Sequence, residues 1–96
     1  MLLRERETPE GLLVAVCDEE CLGETYEHEA GSLTVTEEFY GGNEADADDV
    51  VDALTRASVA NLVGDRCVGV AVGAGLIDEE RILHLDGARH AQLLWL

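Results

Sequence analysis

Cysteine and histidine are the residues of this chain that could ligate a metal ion. Three residues separate Cys17 from Cys21, a spacing that zinc ligand pairs use. A zinc site needs a second pair, and none exists at ligand spacing, because His84 and His90 are six positions apart and Cys67 stands alone in an apolar segment. Buried thiols that fill a core explain these cysteines as well. We therefore predict no metal site and no cofactor.

Cys17 and His90 are also the pair that a small thiol-dependent hydrolase or transferase would use. In such an enzyme the cysteine is the nucleophile, the histidine is the base and Asn61 orients it. The carboxylates at positions 18–20 follow Cys17 directly, and they would raise the pKa of its thiol and disfavour the reactive thiolate. An enzyme of this kind is kept as an alternative to a binding function.

A second group of polar residues has the chemistry of a binding surface. Asn61 lies in an apolar segment, where an amide must be hydrogen-bonded to a neighbouring backbone or to a ligand. Amide, guanidinium and aromatic side chains together recognise single-stranded RNA or a polar protein surface. We predict a non-catalytic binding module that contacts RNA or a ribonucleoprotein. The predicted contact residues are Asn61, Arg66, Arg89, His90, Gln92 and Tyr40.

The chain is strongly acidic, with 21 Asp and Glu, six basic residues that are all arginine, and a formal net charge of −15. A carboxylate surface without lysine indicates a halophilic protein, because the Debye length falls to about 3 Å at molar salt and self-repulsion is screened. Residues 1–52 carry 16 of the acids and two arginines, whereas residues 53–96 carry five acids and four arginines. We expect the nearly neutral C-terminal half to face the partner.

Length and composition indicate one small domain. A chain of 96 residues has room for one core, and its hydrophobic content of 47% is that of a globular protein. Residues 1–10 are charged and contain Pro9, so we predict a flexible lead there and a single domain over 11–96. The first residues lack an apolar signal segment, and the longest uncharged apolar stretch, 67–77, is too short to span a bilayer. We expect a cytoplasmic protein with reduced thiols and no membrane contact.

Apolar periodicity predicts more strands than helices. The predicted elements are a buried strand at 12–17, a helical turn at 18–23, a hairpin at 24–40, an amphipathic helix at 47–57, and strands at 59–63 and 81–86. Asp18 and Asp46 are the expected N-caps of the turn and of the helix. Together these elements predict an α+β fold, a two-layer sandwich in which a small mixed sheet carries two helices on one face.

Two segments have patterns that permit more than one interpretation. In 66–75 valines alternate with glycine and alanine, as in a strand, but Asp65 as an N-cap and the glycines at the end favour a helix. We predict a helix at 66–75. The apolar tail 93–96 is expected to pack on the core, and as an alternative its Trp95 would be exposed until a second copy covers it, which would make the protein a structural subunit or homodimer.

Four blocks of the sequence resemble, in the same order, a small archaeal family called domain of unknown function 424. The blocks are Val14–Gly23, Phe39–Gly42, Ala60–Gly64 and His90–Gln92. The resemblance covers about residues 12 to 92 and implies a compact two-layer α+β domain, a cytosolic archaeal protein and a helix at 66–75. It implies no activity and no cofactor, and it associates the chain with an RNA- or translation-related role.

Overall fold

The computed structural model of the chain describes residues 1–94. Within this range there are eight strands, three α-helices and two 3₁₀ turns, the latter at Glu19–Cys21 and Glu79–Arg81. The strands are β1 (Leu2–Thr8), β2 (Gly11–Cys17), β3 (Thr25–His28), β4 (Gly31–Thr34), β5 (Asn43–Glu44), β6 (Val59–Val63), β7 (Leu83–Leu85) and β8 (Ala88–Leu94). The helices are α1 (Glu37–Tyr40), α2 (Ala47–Arg56) and α3 (Asp65–Gly73).

Six of these strands form one mixed sheet in the order β5-β1-β2-β6-β8-β7, and β3 and β4 form a separate hairpin. The central strands β2 and β6 run parallel, and the other neighbours in the sheet are antiparallel. The α2 segment lies between β2 and β6 in the chain, which is the kind of crossover that a parallel pair requires. The architecture confirms the predicted α+β class with a mixed sheet.

Helices α2 and α3 cover one face of the sheet, where their apolar sides meet alternate residues of the strands. Val14 and Leu62 on the sheet, Leu54 on α2 and Val68 on α3 are completely buried in one cluster. The start of α2 is fixed as predicted, because the Asp46 carboxylate accepts the Asp49 N–H while Asp49 accepts the Asp46 N–H. The opposite face is covered only in part, by the β3–β4 hairpin, α1 and the first 3₁₀ turn.

The expectation of a flexible lead at 1–10 differs from the structure, which places residues 2–8 in β1. This strand pairs with β2 along its whole length, from Leu2 opposite Cys17 to Thr8 opposite Gly11. Its other side pairs with β5 only at residues 2 and 3, so most of its outer edge is open. Charged residues protect such an edge from unwanted pairing, which is why this segment has the composition of a flexible tail.

The hairpin predicted at 24–40 is shorter in the structure. Its second strand ends at Thr34 instead of continuing to Tyr40, and α1 follows. The Thr36 hydroxyl accepts the Phe39 N–H and so caps this short helix. A threonine before two glutamates gives a helix start, and this local signal outweighs the alternation that favoured a strand.

The predicted capping role of Asp18 is also corrected. Its side chain makes no cap to its own 3₁₀ turn, and it instead accepts the backbone N–H groups of Arg66 and Cys67, at 2.8 and 2.9 Å. These are early residues of α3, whose N-cap position is held by Gly64 rather than by the expected Asp65. A helix at 66–75 is nevertheless confirmed, and the carboxylate that caps it comes from the end of β2.

The last part of the chain contains one strand that the pattern did not predict. The strand expected at 81–86 is reduced to β7, and residues 88–94 form β8, which pairs with both β6 and β7. Leu93 is buried in the core, whereas the side chain of Leu94 is 62% exposed. The predicted packing of the tail is thus observed for Leu93 only, and Trp95 lies outside the described residues together with Leu96.

Candidate functional site

Two amide side chains meet in the middle of the sheet on the face opposite to α2 and α3. Asn61 of β6 and Gln92 of β8 are opposite each other in the register, and Gln92 Nε2 donates to Asn61 Oδ1 at 2.9 Å. Asn61 is half-buried and Gln92 is exposed. The bond satisfies one hydrogen-bonding atom of the Asn61 amide, as expected for an amide in an apolar segment. The pair nevertheless remains accessible to solvent.

The amides belong to two rows of side chains that cross this face of the sheet, which we call the open face. The register places Arg4, Ala15, Asn61 and Gln92 in one row and Arg6, Leu13, Val59 and Leu94 in the next. None of these eight residues is acidic, although the chain has 21 Asp and Glu. A large exposed side chain, Leu83, adjoins the open face on β7 and is 41% exposed.

The two arginines of the open face are tied to α1. Arg4 donates to the Gly41 carbonyl at 3.1 Å, and Arg6 donates to the carbonyl of Glu38. The guanidinium of Arg6 also lies over the Phe39 ring, 5.4 Å from its centre. These contacts fix both positive charges beside α1, with β2 between β1 and the amide pair, and each guanidinium keeps further N–H donors for a partner.

His90 lies next to the open face and lines a shallow groove. Its Nδ1 is 2.9 Å from the Leu62 carbonyl, and because a carbonyl can only accept, Nδ1 carries the proton and Nε2 of the neutral ring is an acceptor. The groove, of about 220 Å³, is bordered by His28 and Ser32 of the hairpin and by Leu83 and His90 of the sheet. The His28 Nδ1 accepts the Ala30 N–H.

Three of the six predicted contact residues lie together and three do not. Asn61, Gln92 and His90 share one face of neighbouring strands. Arg89 points to the side of α3, where its guanidinium bonds the Asp65 carboxylate at 3.2 Å and the Asp65 carbonyl at 2.7 Å. Arg66 is an exposed residue of α3 itself. The two arginines therefore border the helix start rather than the amide pair.

Tyr40 is the sixth predicted contact residue, and the structure places it in the interior. Its side chain is only 4% exposed and belongs to the apolar cluster under α1. Its ring meets that of Phe39 edge to face, with ring centres 4.9 Å apart, and burial raises the pKa of its hydroxyl to about 12. Tyr40 thus supports the surface from below, while Phe39 is the aromatic ring that reaches the arginine.

Cys17 and His90 lie in the same row of the sheet, with Val63 of β6 between them. Neighbouring strands are about 4.8 Å apart, so two strand spacings separate their backbones by roughly 10 Å. Cys17 is completely buried. Burial, the Cys21 thiol and the Asp18 carboxylate raise its pKa to about 12, in that order of importance. The thiolate that nucleophilic catalysis needs is therefore strongly disfavoured in this position.

The described residues can also be searched for a metal site and for a membrane-spanning helix. Among residues 1–94 no three histidine, cysteine, aspartate or glutamate side chains are grouped so that they could hold a metal ion. Within the same range no helix is long and apolar enough to cross a membrane.

Sequence reasoning missed Arg4, Arg6 and Leu94 as residues of the site. The sequence does contain a signal for the arginines. In residues 2–8 basic and acidic side chains alternate, which is the period of a strand, so Arg4 and Arg6 lie on one side and Glu5 and Glu7 on the other. Glu5 then bonds Arg56 of α2 at 2.6 Å, which fixes the acidic side toward the helices. The strand register that joins these residues to the amide pair has no local signal.

The fold and this site define a small α+β domain whose mixed sheet is partly uncovered on one face. Residues 5–96 match the family model described as "Protein of unknown function (DUF424)", so the chain belongs to that family and the predicted resemblance is confirmed. The archaeal and halophilic character that we predicted remains a prediction.

A solved structure is similar over nearly the whole chain. It is the crystal structure of an uncharacterized conserved protein from Methanopyrus kandleri, which is 28% identical and has a TM-score of 0.79. The similarity covers 96% of this chain and 88% of that one. A search of curated proteins found no match. These comparisons establish the family and the fold and bring no ligand or reaction with them.

Proposed function

We propose that the protein is a binding module that docks another protein through the open face. The observation that carries this proposal is that two complete rows of the sheet contain no carboxylate in a chain with a formal charge of −15. All 21 acidic residues lie outside these two rows, so the rows form a place where a neutral or apolar partner can approach.

The composition of the open face resembles that of a protein interface. Such interfaces are enriched in arginine and depleted in lysine, glutamate and aspartate, with apolar side chains at the centre and polar groups that hydrogen-bond across. The open face has two arginines, the amide pair, and the apolar side chains of Leu13, Val59 and Leu94. Burial by a partner is favourable for exposed leucines such as Leu94 on the open face and Leu83 at its β7 side.

RNA, the partner that the sequence led us to expect, is less well matched by this surface. Single-stranded nucleic acid is held by a positive groove with several aromatic platforms, whereas the open face offers two cations, both already bonded to backbone carbonyls of residues 38 and 41. Two phosphate contacts would give a salt slope of only about −1.4. Because the chain is so acidic, we favour a protein partner and make RNA an outcome of the test.

The thiol-dependent enzyme, our alternative function, has less support than the binding module. A nucleophile must reach its substrate, and Cys17 is completely buried with its pKa raised to about 12. His90 borders the groove with its Nδ1 near the Leu62 carbonyl, and its other ring nitrogen is equally suited to a hydrogen bond with a bound partner.

The proposal is tested by co-purification with matched variants, followed by reconstitution. Leu94→Glu puts one carboxylate on the open face at a side chain that is already 62% exposed, so folding should be unaffected. Ala74→Glu adds the same charge at an exposed position after α3 and is the control. We expect a protein that co-purifies with the wild type and with Ala74→Glu and stays bound after nuclease treatment. When both components are pure, this protein should bind Leu94→Glu at least about tenfold more weakly than Ala74→Glu.

Two results would overturn this proposal. If nuclease removes the bound material and a purified RNA rebinds, then the partner is RNA, as the sequence analysis expected. If the purified partner binds Leu94→Glu as tightly as Ala74→Glu, then docking does not use the open face.

A further inference from the structure

β8 is longer than the strand that pairs with its outer side. Its residues 88–90 pair with β7, whereas β8 itself continues to Leu94. The same register would place Arg81 opposite Gln92, but Arg81 belongs to the second 3₁₀ turn instead. Within the described part of the chain, the last residues of β8 therefore have no strand on their outer side.

The backbone groups of Gln92 and Leu94 point to this unpaired side. Successive residues of an antiparallel strand direct their N–H and C=O groups alternately to one neighbour and to the other. Arg89 faces β6, because its carbonyl accepts the Gly64 N–H at 2.8 Å, and by this alternation Gln92 and Leu94 face outward. Among residues 1–94 no backbone group pairs with either of them on that side.

A groove of about 260 Å³ borders this edge and leaves room for another chain. One wall is the end of β8, from Gln92 to Leu94. The opposite wall is formed by Gly75, Leu76, Ile77, Asp78 and Arg81. Because Arg81 and Asp78 offset each other, the groove is nearly neutral although the chain is strongly acidic.

The end of β8 lacks the protection that open strand edges have. Folded proteins guard such edges with charged residues, proline or bulges. The open edge of β1 follows this rule, since every residue from Arg4 to Glu7 is charged. Residues 91–96, in contrast, contain neither a charge nor a proline. In a chain with 21 acidic residues, this neutral edge is the one suited to pairing.

We infer that the partner of the open face supplies an extended polypeptide segment, which adds to β8 as a further strand at Gln92 and Leu94. Backbone donors and acceptors that alternate at the spacing of a strand are matched by another extended backbone, and a nucleic acid has no such row of amides. The inference rests on the proposed function, because both residues belong to the open face, and it names the part of the partner that docks. Alternate side chains of the added strand would lie beside Leu94, so we expect them to be apolar.

Peptide selection on the purified full chain tests the inference. A displayed library of short random peptides is first depleted on Gln92→Pro, which lacks the outward N–H, and is then selected on the wild type in about 1 M KCl. Proline is tolerated in an edge strand where its N–H would face solvent. Circular dichroism checks that Gln92→Pro folds, and Leu94→Pro replaces it if it does not. We expect peptides with apolar residues at every second position and dissociation constants below about 100 µM.

A selected peptide is then measured against matched variants. Gln92→Ala and Gln92→Pro both lose the side-chain amide, but only Gln92→Pro loses the backbone donor, so it should bind at least about tenfold more weakly than Gln92→Ala. The peptide is also synthesised with N-methyl groups on alternate amides, in each of the two possible sets. One set should weaken binding at least about tenfold and the other less than about threefold, because successive amides of a strand point in opposite directions.

The inference is overturned if no peptide is recovered after depletion, or if the two sets of N-methyl groups have equal effects. It is also overturned if the purified wild type dimerises and Gln92→Pro does not, because the edge would then pair with a second copy. A purified protein partner that depends on Leu94 but binds Gln92→Pro as tightly as Gln92→Ala would end this inference and leave the proposed function intact.

Discussion

Gln92 and Asn61 are joined by a side-chain hydrogen bond of 2.9 Å that crosses β6 and β8. The bond lies on the face of the sheet opposite to α2 and α3, in a row that contains no acidic residue. The same register that brings the amides together also aligns Arg4 with them. The candidate binding surface is therefore a property of the sheet, and the stability of the sheet and its helices can be tested separately from docking.

Loss of the carboxylate at Asp18 should destabilise the fold far more than loss of the one at Asp65. Asp18 is 3% exposed and accepts two backbone N–H groups of α3, so Asp18→Ala leaves both donors without a partner. We expect a decrease of about 2 to 3 kcal/mol in the free energy of unfolding, measured by urea denaturation. Asp65→Ala removes an exposed ion pair with Arg89 and should cost about 0.5 kcal/mol. Equal effects would contradict the capping role of Asp18.

Gly64→Ala should destabilise the same junction for a steric reason. Gly64 has φ +126°, and an added Cβ would be about 2.4 Å from Asp18 Cγ, inside van der Waals contact. We expect a loss of about 2 kcal/mol or more in the free energy of unfolding. Gly73→Ala is the matched control, because a Cβ added there would have nothing within 4 Å, and it should change stability by less than about 1 kcal/mol. A neutral Gly64→Ala would show that β6 and α3 are joined differently.

Stability should fall at alkaline pH because the buried Cys17 thiol resists ionisation. Its pKa is raised from 9.0 to about 12 in the fold, chiefly by burial. Between these pH values the unfolded chain loses the proton and the folded chain keeps it. The stabilisation is complete below pH 9 and is lost as the pH rises toward about 12, at about 1.4 kcal/mol per pH unit for this group.

The alkaline effect is measured by urea unfolding between about pH 8 and about pH 10.5. Cys17→Ala should show a shallower decrease than the wild type, whatever its stability at neutral pH. Val63→Ala, which removes volume from the same cluster and no titratable group, should retain the wild-type slope. Parallel curves for Cys17→Ala and the wild type would mean that the thiol ionises as readily in the fold as in the unfolded chain.

Removal of residues 1–10 should unfold the protein or lower its melting temperature severely. The truncation deletes β1, which pairs with β2 along its full length, and it exposes the edge of a strand that is buried in the intact sheet. A flexible lead could be removed without any effect. Thermal unfolding followed by circular dichroism distinguishes the two cases, and an unchanged melting temperature would contradict the place of β1 in the sheet.

The elements that sequence reasoning predicted best have strong local signals. The apolar run at 12–17, the capped amphipathic helix that begins after Asp46, and the segments 59–63 and 66–75 all appear as expected. β1 and β8 were missed because an edge strand is charged and because β8 alternates polar residues on the open face with buried ones such as Ala91 and Leu93. A local pattern of this kind is easily confused with that of a loop.

The site could be predicted only in part, because its residues are joined by pairing over long distances in the chain. Asn61, His90 and Gln92 were chosen for their chemistry, and the structure places them together. Asp18 and Arg66 are 48 positions apart, and no local pattern shows that one caps the helix of the other. The selection of Tyr40 rested on residue type, and burial makes it a support of the surface rather than a contact.

Site-specific photo-crosslinking shows directly whether partners dock on the open face. A photoreactive phenylalanine analogue is placed at Gln92 and, in a matched protein, at Thr55, an exposed neutral position on α2. Both proteins are irradiated in cell extract at high salt, and the adducts are treated with nuclease or protease and identified by mass. Docking on the open face predicts defined protein adducts from position 92 and none of them from position 55. Identical adducts from both positions, or adducts at position 92 that only nuclease removes, would contradict it.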